Sequence, residues 1–81
     1  MAECTAEFLV EPFTEGLIGP HVEAAIGAVK RYDVHSEVGA FGTTVTGSVH
    51  VVLEAIEAVL DAAIASGATR VTVNLTATPE Q

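Results

Sequence analysis

From Glu3 to Val10 polar and apolar residues alternate, with Cys4, Ala6, Phe8 and Val10 pointing one way and Thr5, Glu7 and Leu9 the other; this predicts a strand with one apolar face. Pro12 ends it, because a residue without an N–H cannot continue a ladder, and Thr14, Glu15 and Gly16 supply loop chemistry. The period then lengthens. Ile18, Val22, Ile26 and Val29 recur at three- and four-residue intervals and Pro20 suits a first turn, so the spacing predicts a helix running to about Arg31. Lys30 and Arg31 would fall in its last turn, where cations interact favourably with unsatisfied carbonyls. Gly27 inside this helix costs roughly 1 kcal/mol relative to alanine, which points to a close approach by another element.

Alternation returns from Tyr32 to Val38, with Val34, Ser36 and Val38 opposed by Asp33, His35 and Glu37, predicting a second strand. Between Glu37 and Gly47 two glycines bracket Ala40 and Phe41, which reads as an antiparallel hairpin leading into a third strand from about Gly42 to Gly47. Ser48 is placed to cap a second helix, in which Val49, Val52, Leu53, Ile56, Leu60, Ala63 and Ile64 form one apolar stripe while Glu54, Glu57 and Asp61 lie elsewhere. Gly67 ends that helix as a left-handed cap. A last strand from Thr69 to about Thr78 sets Val71, Val73, Leu75 and Ala77 against Thr72, Asn74 and Thr76, and Pro79, Glu80 and Gln81 are expected to fray.

The order β-α-β-β-α-β predicts a ferredoxin-like α+β sandwich, a four-stranded antiparallel sheet with two helices on one face, as a single domain over residues 1–81 with an ordered core over 3–78. The other sheet face would carry Thr5, Glu7, Leu9, Thr72, Asn74 and Thr76 plus one register of the third strand. Such a face must meet water or a partner. A domain of 81 residues buries only about 60–65% of its unfolded surface, which makes oligomerisation a natural remedy.

Composition removes several functions. Eleven acidic residues against three basic ones give a net charge of -8, which repels a phosphate backbone and excludes nucleic acid as a partner. The same field attracts cations, although acidity also serves solubility. Mean hydropathy is +0.47, yet no apolar run reaches the roughly 18–20 residues that span a bilayer; membrane insertion is not expected. The start of the chain, with Glu3 and Glu7, has neither the basic opening nor the apolar core of a secretory signal, so a cytoplasmic location is expected. Cys4 is the one cysteine, which rules out an internal disulfide and a Cys-x-x-Cys centre, and His21, His35 and His50 lack zinc-ligand spacing, so no metal is assigned. No nucleophile with a fixed general base stands out, and no catalytic residue or required cofactor is assigned. The fold hosts many functions and does not choose among them. Within it, the hydroxyls of Thr43, Thr44 and Thr46 follow directly on a glycine loop that lets backbone approach a guest.

Three segments carry a resemblance. Ala6-Glu7-Phe8-Leu9-Val10-Glu11-Pro12, Glu37-Val38-Gly39-Ala40-Phe41-Gly42-Thr43 and Gly67-Ala68-Thr69-Arg70-Val71 resemble, in order and spacing, the signature stretches of the small thiamine-binding, YkoF-like family. The similarity spans nearly the whole chain. It departs at Ala40, where many relatives have proline, and at Glu11, where an apolar residue is common. The resemblance implies a ferredoxin-like fold that pairs its sheets in dimers or dimers of dimers and binds thiamine or its hydroxymethylpyrimidine moiety without transforming it.

On that footing the ligand-binding set is Glu7, Glu37, Phe41, Gly42, Thr43, Thr44 and Asn74. An aminopyrimidine offers ring-nitrogen acceptors and amino donors that threonine, asparagine and carboxylate groups match, and Phe41 could pack on a ring. Plainer roles compete. The threonines are good strand formers, Phe41 can plug the end of a sheet, Asn74 can pair across an interface, and His35 suits a strand surface. Arg70 suits an ion pair with a carboxylate on a neighbouring strand or subunit. The alternative reading is a structural or regulatory oligomerisation module with no small-molecule ligand.

Overall fold

A computed structural model describes residues 3–12, 19–39 and 42–78. The elements are β1 (Glu3–Glu11), α1 (Pro20–Val29), β2 (His35–Val38), β3 (Thr43–Ser48), α2 (Val49–Ala65) and β4 (Arg70–Thr78). The strands form a four-stranded sheet in the order β2-β3-β1-β4, with every neighbouring pair antiparallel. This is the ferredoxin-like α+β arrangement that the alternation predicts. Ile18, Ala40, Phe41 and the expected fraying at Pro79 to Gln81 lie outside the described residues.

The alternation in β1 sorts the two faces. Cys4, Ala6, Phe8 and Val10 are buried beneath the helices, joined by Val45 of β3 and by Val71 and Val73 of β4. Alanine lets the helices come close: Ala6, Ala25, Ala55 and Ala63 are fully inaccessible. Among the described residues the largest fully buried side chains are Val29, Val45, Val52, Val59 and Cys4. Each buried valine contributes about 1.5–3 kcal/mol, so the core is made of many small terms.

Several local expectations are corrected. α1 ends at Val29, and Lys30 and Arg31 follow in turns whose N–H groups donate to the Ile26 and Ala28 carbonyls, so both cations lie just past the last helical turn. A Cβ added at Gly27 would meet nothing within 4 Å and the residue is exposed; among the described residues no element approaches it. β2 is only four residues long, because Val34 donates its N–H to the Tyr32 carbonyl in a turn before the ladder begins at His35 opposite Thr46. Ser48 occupies the N-cap of α2 without a side-chain hydrogen bond. Gly67 does close α2 with a φ of 109°, and the Ala68 N–H donates to the Ala63 carbonyl.

The apolar stripe of α2 is wider than the face the sheet covers. Val52, Ala55, Ile56, Val59 and Ala63 are its buried positions, whereas Leu53 is 48% and Ile64 63% exposed. Val52, Ile56, Val59 and Ala63 are the α2 residues that join the core with the strands.

The glycines make opposite predictions. Gly27→Ala is expected to stabilise the fold by about 1 kcal/mol, raising Tm by roughly 5 °C in a thermal melt. A Cβ on Gly42 would sit 3.0 Å from the Phe8 carbonyl oxygen, so Gly42→Ala should lower stability by about 1–3 kcal/mol. Burial pushes the Cys4 thiol up, which favours its neutral form in the folded chain. Its contribution to stability is therefore full below the unfolded thiol's pKa and is lost as pH rises through the folded one. In alkylation at mildly alkaline pH, native Cys4 should react far more slowly than the same thiol in denaturant.

Candidate functional site

The helices pack on one side of the sheet, and the register lines up polar residues on the other. Glu37, Thr44, Glu7 and Asn74 stand directly opposite one another, one from each strand, across the whole sheet. The next row is His35, Thr46, Thr5 and Thr76. Rows are about 7 Å apart and neighbouring strands about 4.8 Å, so Glu7 and Glu37 lie about 10 Å apart with Thr44 between them.

Near the β2–β3 turn the first row opens into a hollow of about 330 Å³, lined by Glu7, Glu37, Val38, Gly39, Gly42 and Thr44. Two contacts shape it. Gly39 donates its N–H to the Gly42 carbonyl at 2.7 Å, which draws the arms of the hairpin together. Gly42 lies so close to β1 that a Cβ there would meet the Phe8 carbonyl oxygen at 3.0 Å and the Glu7 Cγ at 3.9 Å, and this proximity brings Glu7 to the hairpin.

Of the residues expected from sequence, Glu7, Glu37, Gly42 and Thr44 are brought together here. Asn74 stands beside Glu7, one strand further along the row. Thr43 is not part of the group: it pairs with Phe8 and Val38 on the covered face and is 5% exposed. Phe41 lies outside the described residues. Val38 and Gly39 complete the wall without having been singled out, and their signal was membership of the glycine hairpin itself.

The charge of the hollow is negative, with two carboxylates and neither lysine nor arginine among its lining residues. His35 Nε2 lies 3.3 Å from Glu37 Oε1, both side chains being exposed, so the imidazole orients one carboxylate from the strand surface. Arg70 pairs with Glu11 at 3.7 Å across β1 and β4, the ion pair its type suggests; with the arginine mostly in water it contributes at most about 1 kcal/mol. The hollow therefore favours cations and hydrogen-bond donors, and its size is at the lower end of the roughly 300–1,000 Å³ typical of ligand sites.

A larger hollow of about 480 Å³ lies on the helical side, between Tyr32 and the Glu54, Glu57, Ala58 and Asp61 surface of α2. Its carboxylates lie on the exposed face of the helix, which is the ordinary place for them. Among the described residues no group of histidine, cysteine and carboxylate side chains is arranged to hold a metal. No described helix is long and apolar enough to cross a membrane.

Fold and face together define a ferredoxin-like α+β sandwich whose open sheet carries a small acidic, hydroxyl-bearing hollow. The profile of the thiamine-binding protein family matches residues 6–79, and the chain belongs to that family, one of binding proteins. A domain of unknown function from Bacillus cereus is 28% identical, covering 96% of this chain and 76% of that one with a TM-score of 0.71. A hypothetical protein from Methanocaldococcus jannascii shares the fold at 24% identity, covering 98% of this chain and 81% of its own, with a TM-score of 0.71. So does a Thermotoga maritima protein described as a candidate for thiamine biosynthesis or salvage, at 22% identity, covering 96% of this chain and 84% of its own, with a TM-score of 0.68. No curated protein is significantly similar in sequence.

Proposed function

We propose that this chain binds thiamine or its hydroxymethylpyrimidine moiety, without transforming it, in the hollow at the hairpin end of the open sheet face. The observation that carries this reading is the convergence of Glu7, Glu37, Thr44 and Gly42, from three strands, on one acidic hollow in a chain of the thiamine-binding protein family. A carboxylate of Glu7 or Glu37 accepts from the exocyclic amine of an aminopyrimidine, and the Thr44 hydroxyl donates to a ring nitrogen. Asn74, next along the row, extends polar contact toward β4. A thiazolium carries a permanent positive charge that these acidic surroundings favour. Phe41 is assigned the ring face of the guest. Thr43, on the covered side, holds the strand rather than the ligand.

The lining supplies charge and hydrogen-bond complementarity, which is what holding a vitamin requires. Its role would be transport, salvage or buffering in the cytoplasm, by a homo-oligomer.

Titration calorimetry with thiamine and with hydroxymethylpyrimidine tests the reading, alongside thermal melts. Ligand at a hundred times its Kd should stabilise the fold by about 2.7 kcal/mol. Glu7→Gln, Glu37→Gln or Thr44→Val should each weaken binding by roughly 5- to 100-fold, the range of a lost hydrogen bond to a neutral or charged group. Thr43→Val should shift Tm and leave affinity within about twofold. If neither compound gives heat or stabilisation at millimolar concentration, the binding role is overturned and the oligomerisation module takes its place.

A further inference from the structure

The fixed charges lining the hollow are all of one sign. Glu7 and Glu37 stand about 10 Å apart with Thr44 between them, so a ring held at Thr44 has a carboxylate on either side. A phosphate would find no fixed cation there. The sequence has three basic residues, Lys30, Arg31 and Arg70, and the stretches outside the described residues contain none of them. Lys30 and Arg31 precede β2, at its far end from the hairpin. Arg70 stands opposite Glu11, four positions along β1 from Glu7, a separation of about 14 Å, and it is paired with that glutamate. His35, 3.3 Å from Glu37, offers a positive charge only when protonated. The first turns of both helices, the usual backbone cradle for a phosphate, lie outside the lining, and the Gly39 N–H is already donated to the Gly42 carbonyl.

Thiamine and hydroxymethylpyrimidine present this surroundings with different charges at one position. Both have an aminopyrimidine ring, and they differ in what the methylene carries on the ring carbon next to the amine-bearing one. In thiamine it is a thiazolium with one positive charge, in hydroxymethylpyrimidine a neutral hydroxyl, and in the phosphate ester of the latter a dianion. A carboxylate that accepts from the exocyclic amine has this group as its neighbour, within the roughly 4–6 Å over which one charge acts strongly on another.

We propose that the hollow selects its ligand by the charge at this one position, favouring thiazolium over hydroxyl and rejecting the phosphate ester, with Glu7 and Glu37 as the residues that set the order. The selection rests on the binding role proposed above and narrows it to unphosphorylated ligands. One unit of charge about 4 Å from a carboxylate changes affinity roughly fivefold at the dielectric of water, and more where the sheet displaces water. Three units separate thiamine from the phosphate ester, so the series spans at least about 100-fold. A ligand held here is taken before any phosphoryl transfer to it, or after hydrolysis of its ester.

Titration calorimetry with thiamine, hydroxymethylpyrimidine and hydroxymethylpyrimidine phosphate reads the order, at about pH 8 so that histidine is uncharged and the ester dianionic. Affinity should fall in that sequence, with the ester at least about 100-fold weaker than thiamine. The span should narrow as salt rises from about 20 to about 500 mM, because both carboxylates are exposed and screened. Glu7→Gln and Glu37→Gln, with circular dichroism retained, should lower thiamine affinity without lowering that of the ester, closing the span at least about fivefold.

A loss shared equally by all three compounds overturns the assignment to the two carboxylates, since a purely structural role weakens every ligand alike. An ester that binds within tenfold of thiamine overturns the selection and leaves the binding role standing. So does an ester that binds only with magnesium, the carboxylates then holding a metal rather than repelling phosphate. Absence of heat from all three removes the binding role and the selection together.

Discussion

The pairing of β1 on both sides is the constraint on which the rest depends. It is bonded to β3 along one edge and β4 along the other, so its alternation is imposed on both neighbours. A slip of one residue would put Glu7 among the alanines and valines of the core and turn Phe8 out to water. An unpaired carboxylate under the helices is far costlier than any contact it could gain there. The register is therefore set by the burial of Cys4, Ala6, Phe8 and Val10, and the open face inherits its polar rows from that choice. Glu7 reaches the hollow because Phe8 must reach the core.

The period of two in β1 and β4 was legible in the sequence because each strand has one covered face. The short β2 was less so, since Val34 continues the apolar parity of Ser36 and Val38 while its backbone is already committed to a turn. The faces of α2 were misjudged for a related reason. Its apolar residues occupy more of the circumference than one sheet can cover, and hydropathy alone favours Leu53 and Ile64 over Ala55. Ala55 is inaccessible all the same, because close packing favours a small side chain there.

The candidate site was legible as a hairpin and a parity, not as a cavity. Glu7, Glu37 and Thr44 come from three strands, and only the ladder brings them into one row. Thr43 and Thr44 are neighbours with the same side chain, and the pleat sends one into the core and the other to the hollow. Composition cannot separate them; the pairing of Thr44 with Glu7 does. Gly42 is a different case, because what it permits is the close passage of β1 beneath the hairpin, a contact between segments far apart in the chain.

The thinness of the core connects stability to function. Among the described residues, apart from Phe8 and Ile56, the buried hydrophobic side chains are cysteine, valine and alanine, each contributing little volume. Larger apolar groups are left outside, at Leu53, Ile64 and Leu75. A chain of this size that kept Leu53 and Ile64 inside would need a wider sheet or a third layer to cover them. The open face can carry the carboxylates of Glu7 and Glu37, which a buried surface could not tolerate without partners, because both stay exposed to water.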